Sequence, residues 1–277
     1  MNITEVRRRD PGAVRRALAD RPRFAGHEGN LLIVAVDHPA RGVLGVSNSP
    51  LAMASRADLL ERAALALSRP GVHGFLGTAD LVEELALLGA LDHKLVLGSM
   101  NRGGLVGASF ELDDRFTGYD AQGIADAGLD GGKMLVRIDP QDPASVATIE
   151  ACARAVNELA ERGLIALVEP FWCTRVEGRL TVDLSTEAVI RSAMIASGLG
   201  RTSAYTWLKL PAVDEPDRVA ACTTLPTLLL GGDVAQGDGW KAAAASPGIA
   251  GFAVGRQLLF PADGDIAAAV DEAVALL

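Results

Sequence analysis

Apolar residues fall along this chain in two rhythms. Short runs of five to nine residues, dense in Leu, Ile and Val, alternate with longer stretches in which apolar positions recur every three or four residues. The first rhythm is that of a buried strand, the second that of an amphipathic helix. "NLLIVAVDH" (30–38) opens the series as a strand, and "SRADLLERAALALSR" (55–69) follows as a helix with Ser55 at its N-cap. "GVHGFLG" leads into helical "TADLVEELALLGAL", and "HKLVLGS" is a third strand. "GGKMLVRID", "LIALVEP", "SAYTWLKLP", "TLLLGG" and "IAGFAVG" continue the strand series. Helical patterns such as "DPASVATIEACARAVNELAERG" and "STEAVIRSAMIASGLG" separate them, and "DGDIAAAVDEAVALL" closes the chain.

About eight strands, most followed by a helix, predict a single (β/α)8 barrel over residues 1–277. A doubly wound open sheet competes, but no GxGxxG follows the first strand. The stretch "NRGGLVGASFELDDRFTGYDAQGIADAG" fits neither rhythm and is expected to be a long excursion after the third strand with one short helix.

Barrel chemistry sits at the C-terminal ends of the strands, so polar residues late in each apolar run are the candidates. Side chains alternate faces with period two. In "SAYTWLKLP" Trp207 and Lys209 share the inward face. In "KMLVRID" Lys133 and Arg137 do so, and Asp37 and Glu169 end the inward series of their own strands. Two lysines and two carboxylates are thus expected at one mouth, with His38, Arg137 and Trp207 as further substrate contacts. A nucleophilic lysine must shed its proton, and burial beside a second cation favours that. Lys209 is the candidate nucleophile and Lys133 the cation beside it. A structural ion pair of either lysine with Asp37 or Glu169 is the competing account of the same residues.

Composition narrows the partners. The formal charge is −9, from 26 basic and 35 acidic residues spread along the chain, which argues against a nucleic-acid partner. Three well-spaced cysteines (Cys152, Cys173, Cys222) and four histidines without ligand spacing suggest neither a disulfide framework nor a metal centre, and no cofactor is implied. The N-terminus has arginines but no apolar core of a signal peptide, and no run is long enough for a membrane span. A cytoplasmic protein is expected.

The last two strands end in "LLLGGDV" and "FAVGRQL". Barrels that bind phosphate commonly do so in the loops after strands seven and eight. Gly231, Gly232 and Gly255 would open the backbone N–H groups to an anion, and Arg256 would add a charged contact.

These residues together resemble the class I, Schiff-base-forming aldolase superfamily, which includes deoxyribose-phosphate aldolase and the archaeal-type fructose-bisphosphate aldolases. "VAVDHPARG" and "DGGKMLVRIDP" are similar to the first and fourth strand regions of its tagatose-bisphosphate and sulfofructose-phosphate members. More narrowly, the chain resembles an actinobacterial branch of aldolase-like barrels associated with inositol catabolism. The resemblance implies that Lys209 is the imine lysine and Lys133 the lysine that tunes it. It also implies that Asp37 is the first-strand aspartate and that Gly231, Gly232, Gly255 and Arg256 cradle phosphate. It implies a phosphorylated keto-sugar or keto-acid substrate, 2-deoxy-5-keto-gluconate 6-phosphate being the specific candidate, and a homo-oligomer. Relatives often carry a tyrosine proton donor in the fourth-strand region, where this chain reads Arg137-Ile138, so that role would pass to Glu169 or to Tyr119. A phosphosugar isomerase or epimerase using Glu169 and Asp37, and a non-catalytic sugar-phosphate-binding barrel, remain open at this point.

Overall fold

The computed structural model describes residues 1–231 and 244–277. Among the described residues nine strands run in chain order: β1 (Leu31–Val36), β2 (Gly74–Gly77), β3 (Leu95–Ser99), β4 (Gly131–Ile138), β5 (Ile165–Val176), β6 (Arg179–Asp183), β7 (Thr206–Pro211), β8 (Thr227–Leu230) and β9 (Ile249–Val254). Eight of them are parallel and close on themselves in the order β1-β2-β3-β4-β5-β7-β8-β9, with β9 pairing back onto β1 (Leu31 beside Gly251). Helices connect the strands on the outside, so this is the predicted (β/α)8 barrel. No helix among the described residues is long and apolar enough to cross a membrane.

The alternation read in the sequence separates two cores. Outward-facing residues such as Leu32, Val34 and Val36 of β1 pack on the helices with Leu59, Leu67 and Leu85. Inward-facing Leu31, Ile33, Leu95, Leu97, Leu167 and Leu228 fill the barrel itself. Phe24 and Trp207 pack against that inner cluster. Leu31 and Leu95 begin their strands, so this apolar filling lies toward the N-terminal end. Each such leucine contributes roughly 1.5–3 kcal/mol on burial.

Local chemistry sets the element boundaries. Ser55 caps the helix Arg56–Ser68 by accepting from the Asp58 N–H, Ser185 caps Thr186–Ser197, and Asp120 caps Ala121–Asp126. The last is the short helix expected inside the excursion. Two features were not foreseen. The helices Ile3–Arg9 and Gly12–Asp20 precede the barrel, and β5 runs on past it to form an antiparallel hairpin with β6. The hairpin turns at Glu177 and Gly178, both with positive φ (51° and 78°), the geometry that right-twisted two-residue hairpins require.

Candidate active site

The excursion between β3 and the helix Ala121–Asp126 is fastened rather than loose. The Asn101 side chain accepts from the Leu135 N–H at 2.7 Å and donates to the Leu135 carbonyl at 2.6 Å, so one amide extends the sheet at β4. Arg137, at the end of β4, grips Asp114 with two bonds (Nε to Oδ2 2.7 Å, Nη2 to Oδ1 2.8 Å) and also donates to the Glu111 carbonyl. Asp114 is fully buried. The expected role of Arg137 as a substrate contact is therefore corrected. Its side chain is spent on holding the excursion, because at that height the inward series of β4 meets the loop instead of the cleft.

Below this loop, at the C-terminal mouth, lies a cleft open to solvent. Asp37, His38, Glu169 and Lys209 line it, as do Gly231, Gly255 and Arg256 from the β8 and β9 ends. Three of the six residues marked by strand phase, Asp37, Glu169 and Lys209, thus line one cleft. Gly232 lies outside the described residues.

One carboxylate organises the two lysines. Glu169 takes the Lys209 Nζ at 2.7 Å on Oε1 and the Lys133 Nζ on Oε2. Lys133 also reaches Asp37 Oδ2 at 3.0 Å. That same oxygen accepts from Ser99 Oγ at 3.2 Å and pairs with Arg102, whose Nε donates to Ser99 Oγ at 2.8 Å. All of these side chains are buried. Burial alone would raise the Glu169 carboxyl, but the Lys133 and Lys209 charges overcome it and hold the group well below the carboxylate range.

The depressed ammonium is Lys133. Complete burial pushes it well below the lysine range, and the Arg102 and Lys209 charges push the same way. The sequence had cast Lys133 as the cation that lowers Lys209. Both are buried, but they differ in access: Lys209 lines the cleft and Lys133 does not. His38, with its side chain 27% exposed, is held down to about 3 by burial and by the Lys209 and Arg256 charges, so it is neutral at physiological pH. Its Nδ1 is buried with no hydrogen-bond partner, 3.9 Å from Asp37 Oδ1.

Two further expectations change. Trp207 points inward as its phase requires, but it pairs with Leu167 low in the barrel and joins the apolar filling, not the cleft. Tyr119 packs on the outer face of β3 against Gly98, where burial and the nearby Glu83 and Asp80 raise its hydroxyl, so it does not reach the mouth. The glycines also have a packing reason. A Cβ on Gly255 would collide with the Ala35 carbonyl, and one on Gly231 would sit 2.7 Å from Val254 Cγ1. Strand phase could not reveal Arg41 and Arg102, which lie in loops. Ser99 was legible, since Leu95, Leu97 and Ser99 share one face of β3.

The fold and cleft define a (β/α)8 barrel with a carboxylate-bridged lysine pair at its C-terminal mouth. The chain belongs to the Cgl0159-like family, whose model matches residues 29–274. The crystal structure of Cgl0159 from Corynebacterium glutamicum is 52% identical, with 99% of this chain and 94% of that one covered and a TM-score of 0.95. A Schiff-base-forming fructose-1,6-bisphosphate aldolase shares the barrel at 18% identity over 95% of this chain and 99% of its own, TM-score 0.66. So does an archaeal fructose-1,6-bisphosphate aldolase with its catalytic lysine bound to a carbinolamine intermediate, at 18% identity over 95% and 97%, TM-score 0.64. No curated protein matches the chain.

Proposed function

We propose that the protein is a Schiff-base aldolase acting on a phosphorylated keto-sugar or keto-acid. The observation that carries this reading is the Lys209 amine, open to the cleft and 2.7 Å from Glu169, whose other oxygen holds the buried, depressed Lys133. Lys133 is the amine held well below the lysine range, and Glu169 bridges it to Lys209, so a proton on Lys209 can pass across the carboxylate to Lys133 and leave Lys209 free to attack a carbonyl.

For the leading candidate, 2-deoxy-5-keto-gluconate 6-phosphate, the amine attacks the C5 carbonyl and forms a carbinolamine, which loses water to give the protonated imine. A base removes the C3 hydroxyl proton and the C3–C4 bond breaks. Malonate semialdehyde leaves, while the electron pair flows from C4 into the imine and forms an enamine. Protonation at C4 and hydrolysis release dihydroxyacetone phosphate and return the lysine. Glu169 is the base and acid within reach of Lys209; Asp37 acts through Lys133, which it positions. Arg256, with no carboxylate partner among the described residues, and the backbone of Gly231 and Gly255 would hold the phosphate.

An isomerase reading, with Glu169 and Asp37 as acid and base, gives the cleft-lining Lys209 amine no covalent task. The test is to incubate the protein with dihydroxyacetone phosphate, reduce with borohydride, and map the adduct. A ligand-sized mass on the Lys209 peptide, absent from Lys209→Ala, is expected. Turnover of 2-deoxy-5-keto-gluconate 6-phosphate that survives borohydride with no adduct would overturn the imine.

A further inference from the structure

Arg41 stands in the cleft without an assigned task. It follows β1 on the 3-10 turn His38–Arg41 and lines the same cleft as Lys209. Its Nε donates to the Gly104 carbonyl at 2.9 Å, and its own carbonyl accepts from the Val106 N–H at 3.0 Å. Those bonds hold it under the excursion. Its two terminal nitrogens make no hydrogen bond or ion pair among the described residues. The neighbouring guanidiniums are committed, Arg102 to Asp37 and Ser99 and Arg137 to Asp114. Arg41 faces the excursion side, near Arg137, Asp114 and Glu111, whereas Arg256 follows β9 on the other flank of β1. The cleft therefore carries two guanidiniums without a carboxylate partner among the described residues, Arg41 after β1 and Arg256 after the neighbouring β9, with Lys209 of β7 lining the same cleft.

Guanidinium donors that face a cleft and meet no protein acceptor are placed to take an anionic ligand. Resting on the aldolase reading, we infer that Arg41 binds a second anionic group of the substrate, apart from the phosphate assigned to Arg256. The second group is a carboxylate or a phosphate, both of which fit a guanidinium fork.

The test uses three ligands that lack a ketone and cannot form an imine: glucitol 6-phosphate with one anion, 6-phosphogluconate with an added carboxylate, and glucitol 1,6-bisphosphate with an added phosphate. Calorimetry on the wild-type protein is expected to give a two-anion ligand an advantage of about 10- to 100-fold over the one-anion ligand. Whichever doubly charged ligand shows it identifies the second group. Arg41→Met abolishes that advantage, Arg41→Lys restores part of it, and Arg256→Met weakens all three ligands. If methionine unseats the excursion, Arg41→Gln keeps a donor for the Gly104 carbonyl. An advantage that survives in Arg41→Met or Arg41→Gln, equal binding of all three ligands by the wild type, or no binding at all would overturn the inference. Borohydride trapping runs beside it: a failed trap with the advantage intact sinks the imine chemistry and leaves the two-anion cleft standing.

Discussion

The two ends of the barrel interior are built from the same strands and the same inward-facing phase, yet they hold opposite chemistry. The N-terminal end is filled by Leu31, Leu95, Leu167 and Trp207 against Phe24. The C-terminal end, a few residues later on those strands, carries Asp37, Ser99, Glu169 and Lys209. Barrels of this kind place stability below and reactivity above, and here the change from one to the other occupies a single turn of the alternation. A substitution's consequence should thus depend on its height in the barrel more than on its burial, since both ends are buried.

Four measurements would break or sharpen that contrast. Lys209→Met should lower turnover of the trapped ketone by on the order of 10⁴-fold or more while leaving the thermal midpoint near that of the wild type. A comparable loss of stability would instead make Lys209 a structural ion-pair member. Arg137→Leu, in the upper half but turned toward the excursion, strands Asp114 and should cost about 3–5 kcal/mol in urea unfolding. Retention of full stability would mean that the guanidinium is free for ligand after all. Leu97→Ala at the lower end should cost about 2–5 kcal/mol from the cavity it leaves, with trapping at Lys209 intact at a temperature where the variant is folded.

The smallest effect concerns pH. His38 is neutral in the folded chain down to about 3, whereas unfolded histidine takes a proton near 6.5. The unfolded state therefore binds more protons in that window, and stability falls as pH drops from 6.5 toward 3. His38→Gln should flatten the decline in the urea midpoint between pH 6.5 and 5; an unchanged slope would show that the imidazole is protonated in the fold.

Much of this was legible in the sequence, for a physical reason. Period-two alternation fixes which face a strand residue takes, so Asp37, Glu169 and Lys209 could be aimed at one mouth from spacing alone. Alternation carries no height. Trp207 therefore had the right face and the wrong end, and Arg137 overshot the cleft into the loop that it fastens. Arg41 and Arg102 lie in segments with no period, where position follows from hydrogen bonds such as that from Arg41 to the Gly104 carbonyl. The hairpin of β5 and β6 escaped because its exposed residues do not alternate cleanly.

Asp37 has a consequence for how such a chain can drift. One oxygen of one side chain joins β1 to Ser99 of β3, to Lys133 of β4 and to Arg102 beyond β3. Changing Asp37 leaves the buried Arg102 without its carboxylate, and changing Lys133 or Arg102 strips a donor from the same oxygen, so these positions constrain one another through mutation. Arg256 has no carboxylate partner among the described residues, and the Arg41 side chain is tied there only by its bond to the Gly104 carbonyl. New substrate preferences would accumulate at those two positions, one residue at a time, around an inherited and nearly immovable centre.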